Sequence, residues 1–173
     1  MTPKKLWLTL AAVIIGSFAV LCFYGVEIFR EMPPFPNKVV TESGATVFEG
    51  QDITDGQNVW QSNWCQTVGS VWGHGAYVAP DWTADYLHRE SELMLAELAQ
   101  KDGKVYAQLA EADKAKYKVL LQEELRDNTF DVQTGVITFS DMRAKVAKQL
   151  RNYYAKLFLN DPSMAKLRNA YAM

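Results

Sequence analysis

The chain opens on one unbroken apolar run, Leu6 to Val26, 21 residues without a charge. As a helix at ~1.5 Å per residue this run is about 31 Å long, close to the ~30 Å hydrocarbon core of a bilayer. A cleaved signal peptide is the competing assignment, but its apolar part is usually only ~7–15 residues and ends at a small-x-small site, which is absent here. Leu21 before Cys22 also argues against lipoprotein processing. An uncleaved anchor is expected over residues 1–30, with a separate domain over 31–173. Three prolines in the stretch 32–38 stiffen the exit.

Beyond residue 38 the pattern alternates between short β-type runs and helical stripes. Val39, Val40 and Thr41, a Ser-Gly turn, then Thr46, Val47 and Phe48 predict a hairpin. Thr54 and Gln57 fit a capping box that opens a short helix running to about Ser62. A glycine-rich loop follows. Asp81 caps a long helix to about Gln100, and the turn 101–104 ends it. A second helix, Glu111 to Arg126, carries Tyr117, Leu120, Leu121 and Leu125 on one face. Residues 130–139 predict another hairpin. Ser140 caps a third helix to about Phe158, striped by Val146, Leu150, Tyr153, Tyr154 and Leu157. Residues 160–163 break it, and a last helical piece ends the chain. The expectation is a mainly α protein with two small hairpins.

Charge then orients the picture. Lys4 and Lys5 precede the apolar run, and Glu27, Arg30 and Glu31 follow it. The positive-inside rule puts the N-terminus in the cytoplasm and residues 27–173 outside. The net charge is −2, and removing the two lysines leaves −4 for the outer portion. Scattered basic residues exclude a nucleic-acid footprint. Cys22 and Cys65 lie in different compartments and cannot pair, so stability must come from a packed core or a partner.

Candidate chemistry is sparse. Only His74 and His88 are available, with a single cysteine outside the anchor, too few for a structural zinc site. No phosphate loop or nucleophile elbow occurs. Asp81, Asp85 and Glu90 share a helix, where capping and solvation are the ordinary roles of carboxylates.

The stretch Trp72 to Glu90, WGHGAYVAPDWTADYLHRE, is more specific. It resembles the N-terminal region of quinol-dependent nitric oxide reductases, membrane enzymes of the haem-copper oxidase superfamily. Further matching pieces are residues 4–7, 33–40, 47–48, 52–57, 68–71 and 172–173, so the resemblance covers essentially the whole chain. The same frame is similar to the cytochrome c subunit of related reductases, in which Cys-x-x-Cys-His leads to Gly-x-Gly-Ala-Tyr. Laid through Gly73 to Tyr77, the first cysteine falls on Cys65, the second on Val68 and the axial histidine on Gly69.

The resemblance implies a periplasmic cytochrome c-like domain whose haem motif is lost, in a bacterial inner membrane. Cys65 would be a relic. Trp60, Trp64 and Trp72 would fill the volume of the missing haem. No covalent cofactor is implied for this chain. The backbone carbonyls of Gly75 and Tyr77 correspond to those that hold a calcium in haem-bearing relatives, with His74 in place of an acidic residue. Reduction of two NO to N2O and water would occur in a many-helix catalytic portion holding haem b, haem b3 and a non-haem iron. Two histidines and one span cannot provide that centre. This chain would be a non-catalytic part, either a separate subunit or the start of a longer chain. On the helix after Asp81, Trp82, Asp85 and Arg89 fall on one side, with His88 near its edge. Together with Trp72 and His74 they form the expected partner interface. The alternative is a stand-alone anchored periplasmic binding or scaffold domain unrelated to NO.

Overall fold

The computed structural model describes residues 2–63, 67–73 and 78–173. The chain divides into two compact units, one ending at residue 35 and one spanning 36–173. The first is helix α1 (Pro3–Arg30), which begins on a proline, where the missing N–H costs no hydrogen bond. It is long and apolar enough to cross a membrane, and none of its described residues is buried.

The second unit is mainly helical, as expected. Its strands are β1 (Lys38–Thr41), β2 (Thr46–Glu49), β3 (Phe130–Asp131) and β4 (Val136–Phe139). The two expected hairpins form, but they are not separate. β1 pairs parallel with β4, setting Val39 against Ile137 and Val40 against Thr138, and the sheet runs β2-β1-β4-β3. Asn37 joins the hairpins, its amide donating to the Gly135 carbonyl at 2.8 Å and its Nδ2 to the Thr134 carbonyl at 3.1 Å. Gly135 sits at φ +69, and a Cβ there would run into the Asn37 side chain.

Helix α2 (Gly50–Ser62) starts earlier than Thr54. Glu49 is its N-cap residue, and Asp52 Oδ2 accepts the Glu49 backbone N–H at 2.9 Å. β2 thus runs straight into the helix without a loop. Thr54 lies inside the first turns and donates its hydroxyl to the Gly50 carbonyl. Helices α3 (Trp82–Lys101), α4 (Glu111–Arg126), α5 (Asp141–Phe158) and α6 (Ala165–Ala170) follow. Leu120 departs from the expected α4 face. It is exposed, whereas Tyr117 is buried and Leu121 and Leu125 pack inward. Relative to Tyr117, Leu120 turns away from the side to which Leu121 and Leu125 drift, at 100° per residue.

The core lies between α3 and α5. Met94 meets Met142, Val146 and Leu150, with Leu93, Leu98, Leu121 and Leu125 around them. Glu90 is 2% exposed, which corrects the expectation of a solvated carboxylate. Arg143 Nε donates to Glu90 Oε1 at 3.1 Å across the two helices. A buried acid needs such a partner.

Candidate functional site

The distinctive chemistry lies where the loop 67–73 meets the start of α3. Asp81 organises this junction. Its side chain caps α3 by accepting the Ala84 amide at 2.9 Å. The Ser70 hydroxyl and the Gly73 amide both donate to its other oxygen, at 2.7 and 2.8 Å. These donors, Ser70 foremost, hold the Asp81 carboxyl below its ordinary pKa. The Trp82 amide donates to the Ser70 carbonyl, and the Trp72 amide to Thr83 Oγ1.

Trp82 then fills the junction. It is 7% exposed, and its Nε1 donates to the Val68 carbonyl at 2.7 Å. Its ring makes edge contacts with Tyr154, Phe158 and Tyr171. This corrects its expected place on a partner-facing surface: the indole is core. Gly69 adopts φ +92, and a Cβ there would strike Trp82 Nε1 and lie 2.6 Å from the Pro80 carbonyl oxygen. These are the positions onto which the resemblance lays the second thioether cysteine and the axial histidine. Val68 uses its backbone to hold the indole, and Gly69 leaves no room for a side chain. The residues present do not fit a c-type haem.

The tryptophans expected to occupy a haem volume separate into different environments. Trp60 is partly buried against the Trp82 cluster. Trp72 is 82% exposed. Its φ of +65 is strained for a bulky residue, so two hydrogen bonds to the start of α3, from Trp72 and Gly73, hold an exposed indole on unfavourable backbone. Trp64, Cys65, His74, Gly75 and Tyr77 lie outside the described residues, and with them the expected calcium carbonyls. Among the described residues no group of three His, Cys, Asp or Glu could hold a metal.

Along α3 the helical spacing brings together the pair it suggested. Arg89 Nε donates to Asp85 Oδ2 at 2.9 Å, and the Tyr154 hydroxyl donates to the same oxygen at 2.8 Å. The Arg89 guanidinium also covers the Tyr153 ring, 4.2 Å from its centroid. Arg89 is therefore committed within the domain. Burial, reinforced by Asp85, raises the Tyr154 pKa. His88 points elsewhere, on an exposed surface beside Glu92 at 3.3 Å.

The sequence reading missed a groove beside this junction. It has a volume of about 810 Å³ and is walled by Val59, Trp60, Trp82, Tyr86, Tyr154 and Phe158. Burial, with Glu90 adding to it, pushes the Tyr86 pKa up to about 12, so its hydroxyl is neutral. The one available signal was Phe158-Leu159, an apolar pair that overruns the end of the α5 stripe.

No curated protein matches the chain. A family model does. Residues 36–173 match the NorB cytochrome c-like domain of nitric oxide reductase, and with most of its length matched the chain belongs to that family.

Proposed function

We propose that this chain is the non-catalytic, membrane-anchored part of a quinol-dependent nitric oxide reductase. In this reading α1 holds the chain in the inner membrane with its N-terminus in the cytoplasm. The cytochrome c-like domain lies outside, docks on the catalytic portion and supports it. The observation that carries the reading is the Gly69–Trp82 contact. With an indole against the axial-ligand position, the domain has no place for the haem that would pass electrons from a soluble cytochrome. In this reading electrons reach the catalytic portion from within the membrane, as they would from quinol. Trp72 supports docking, because an exposed aromatic held on strained backbone is poorly explained by the isolated fold. Aromatic residues are enriched at protein interfaces.

Haem staining of a denaturing gel tests the first half, and the band of this chain should be blank. Co-purification with a haem b protein tests the second. A stained band, or purification without any haem protein from cells that reduce NO, overturns the respective half.

A further inference from the structure

Residues 27–173 carry a net charge of −4, yet helix α5 within them is strongly basic. It holds Arg143, Lys145, Lys148, Arg151 and Lys156 against a single acid, Asp141. Two of these cations are neutralised within the domain, Arg143 by Glu90 at 3.1 Å and Lys145 by Glu97 at 2.7 Å. Lys148 and Arg151 lie one helical turn apart, and neither makes an ion pair among the described residues.

These two cations border a groove between α5 and the β1–β2 hairpin. Its volume is about 490 Å³, and its described lining contains no Asp or Glu. The half-buried Val47 and Phe48 supply an apolar wall. Glu49, the acid that follows them, is engaged elsewhere, because its side chain caps the first turn of α2. Arg151 is exposed but held in place. Its Nη2 donates to the Val47 carbonyl at 2.9 Å, and its guanidinium covers the Phe48 ring, 4.8 Å from the centroid. The remaining N–H groups of the fork are open and already oriented, so little freedom is lost when they meet an oxyanion. Simple solvation of surface charge requires neither a fixed guanidinium nor a concave setting without acids.

We propose that this groove binds an acidic peptide segment of a partner protein. A carboxylate of the segment meets Lys148 and Arg151, and a neighbouring apolar side chain covers Val47 and Phe48. The groove sets cations on one wall against apolar surface on the other, and a small anion such as phosphate would satisfy only the first. That the partner is the catalytic portion rests on the docking reading above.

Fluorescence anisotropy of a labelled Glu-Val-Glu-Val-Glu peptide with the full chain in neutral detergent tests the groove. Binding is expected, and a Lys-Val-Lys-Val-Lys peptide should not bind. Lys148→Glu and Arg151→Gln should each weaken it about tenfold, in line with losing a hydrogen bond to a charged group. Lys166→Glu makes the same charge change on α6, outside the groove, and should leave binding within about twofold, the scale of long-range charge alone. Lys148 makes no internal bond, so its variant carries the test if Arg151→Gln lowers the melting temperature. No binding, equal weakening in all three variants, or displacement by inorganic phosphate or dihexanoyl phosphatidylglycerol at lower concentration than by unlabelled peptide overturns the proposal. Co-purification with the haem b protein is read separately in wild type and Lys148→Glu. Its loss in Lys148→Glu alone identifies the partner as the catalytic portion, and equal recovery in both overturns the groove as the docking surface. If wild type itself does not co-purify, the docking reading fails, and the peptide titration alone decides the groove.

Discussion

Helices α3 and α5 pack against each other along their length, yet their two ends are built from different material. At one end Met94, Met142, Val146 and Leu150 form an aliphatic core sealed by the Glu90–Arg143 pair. At the other end Trp82 meets Tyr154 and Phe158 edge to face, closes onto a loop through Val68, and leaves a groove open. Aliphatic side chains can fill space by interlocking at helical spacing alone. Large rings leave gaps, and the polar edges of Trp and Tyr must find partners. The first end is therefore self-sufficient. The second depends on the loop 67–73 and leaves its groove unfilled among the described residues.

The comparison can be broken most severely at the sealed end. Arg143→Ala leaves the buried Glu90 carboxyl without its partner, and removing one member of a buried pair typically costs about 3–5 kcal/mol. Denaturant unfolding should show that loss, with the pair-neutral change Glu90→Gln in the Arg143→Ala background restoring part of it. Full stability in Arg143→Ala would mean that the sealed end tolerates an open polar site as easily as the groove end does.

At the Trp82 end, Gly69→Ala places a Cβ against the indole and the Pro80 carbonyl. Strain at positive φ, about 1–2 kcal/mol, adds to overpacking of about 1–3 kcal/mol. Gly73→Ala is the control, since its φ is +100 but among the described residues its Cβ would meet nothing within 4 Å. It should cost only the backbone component. Equal melting shifts for the two variants would show that contact with Trp82 is unimportant.

Tyr154→Phe keeps the ring and removes the hydroxyl that donates to Asp85. A loss of about 1.5–3 kcal/mol is expected, the range for hydrogen bonds to a charged group. Arg89→Ala should be smaller than additive with it, because both groups share one oxygen of Asp85. Strict additivity in the double mutant would mean that the two bonds act independently.

The smallest effect is specific to acid. Asp81 has a folded pKa below its unfolded value of ~3.9, so its contribution is complete well above that pH and is lost as pH falls through the folded pKa. Protection of the Trp72 and Gly73 amides, taken relative to their intrinsic exchange rates, should fall below about pH 4, while protection around Met94 should not. In Asp81→Asn the acid dependence should disappear. If both ends lose protection together, Asp81 does not hold the loop separately from the core.

Much of this molecule could be read from the residues in order. The apolar run gives α1, the Asp81 and Ser140 caps start α3 and α5, and the Val146–Leu150–Leu157 spacing marks the buried face of α5. These are local signals, set by periodicity and by unsatisfied backbone amides within a few residues. The family resemblance was also legible, because it rests on a contiguous motif. Three features required the tertiary structure. The parallel pairing of β1 with β4 joins segments almost a hundred residues apart, and strands of four residues carry no trace of their partner. Glu90 looks like a surface acid until Arg143 arrives from another helix. Trp82 shares its helical face with Asp85 and Arg89, which suggested a common surface. The indole is buried only because α5 and the Val68 carbonyl close around it, while the polar pair beside it finds Tyr153 and Tyr154. Periodicity determines which side of a helix a residue occupies, but the surfaces that converge on that side determine whether the residue is core, pocket or solvent-facing.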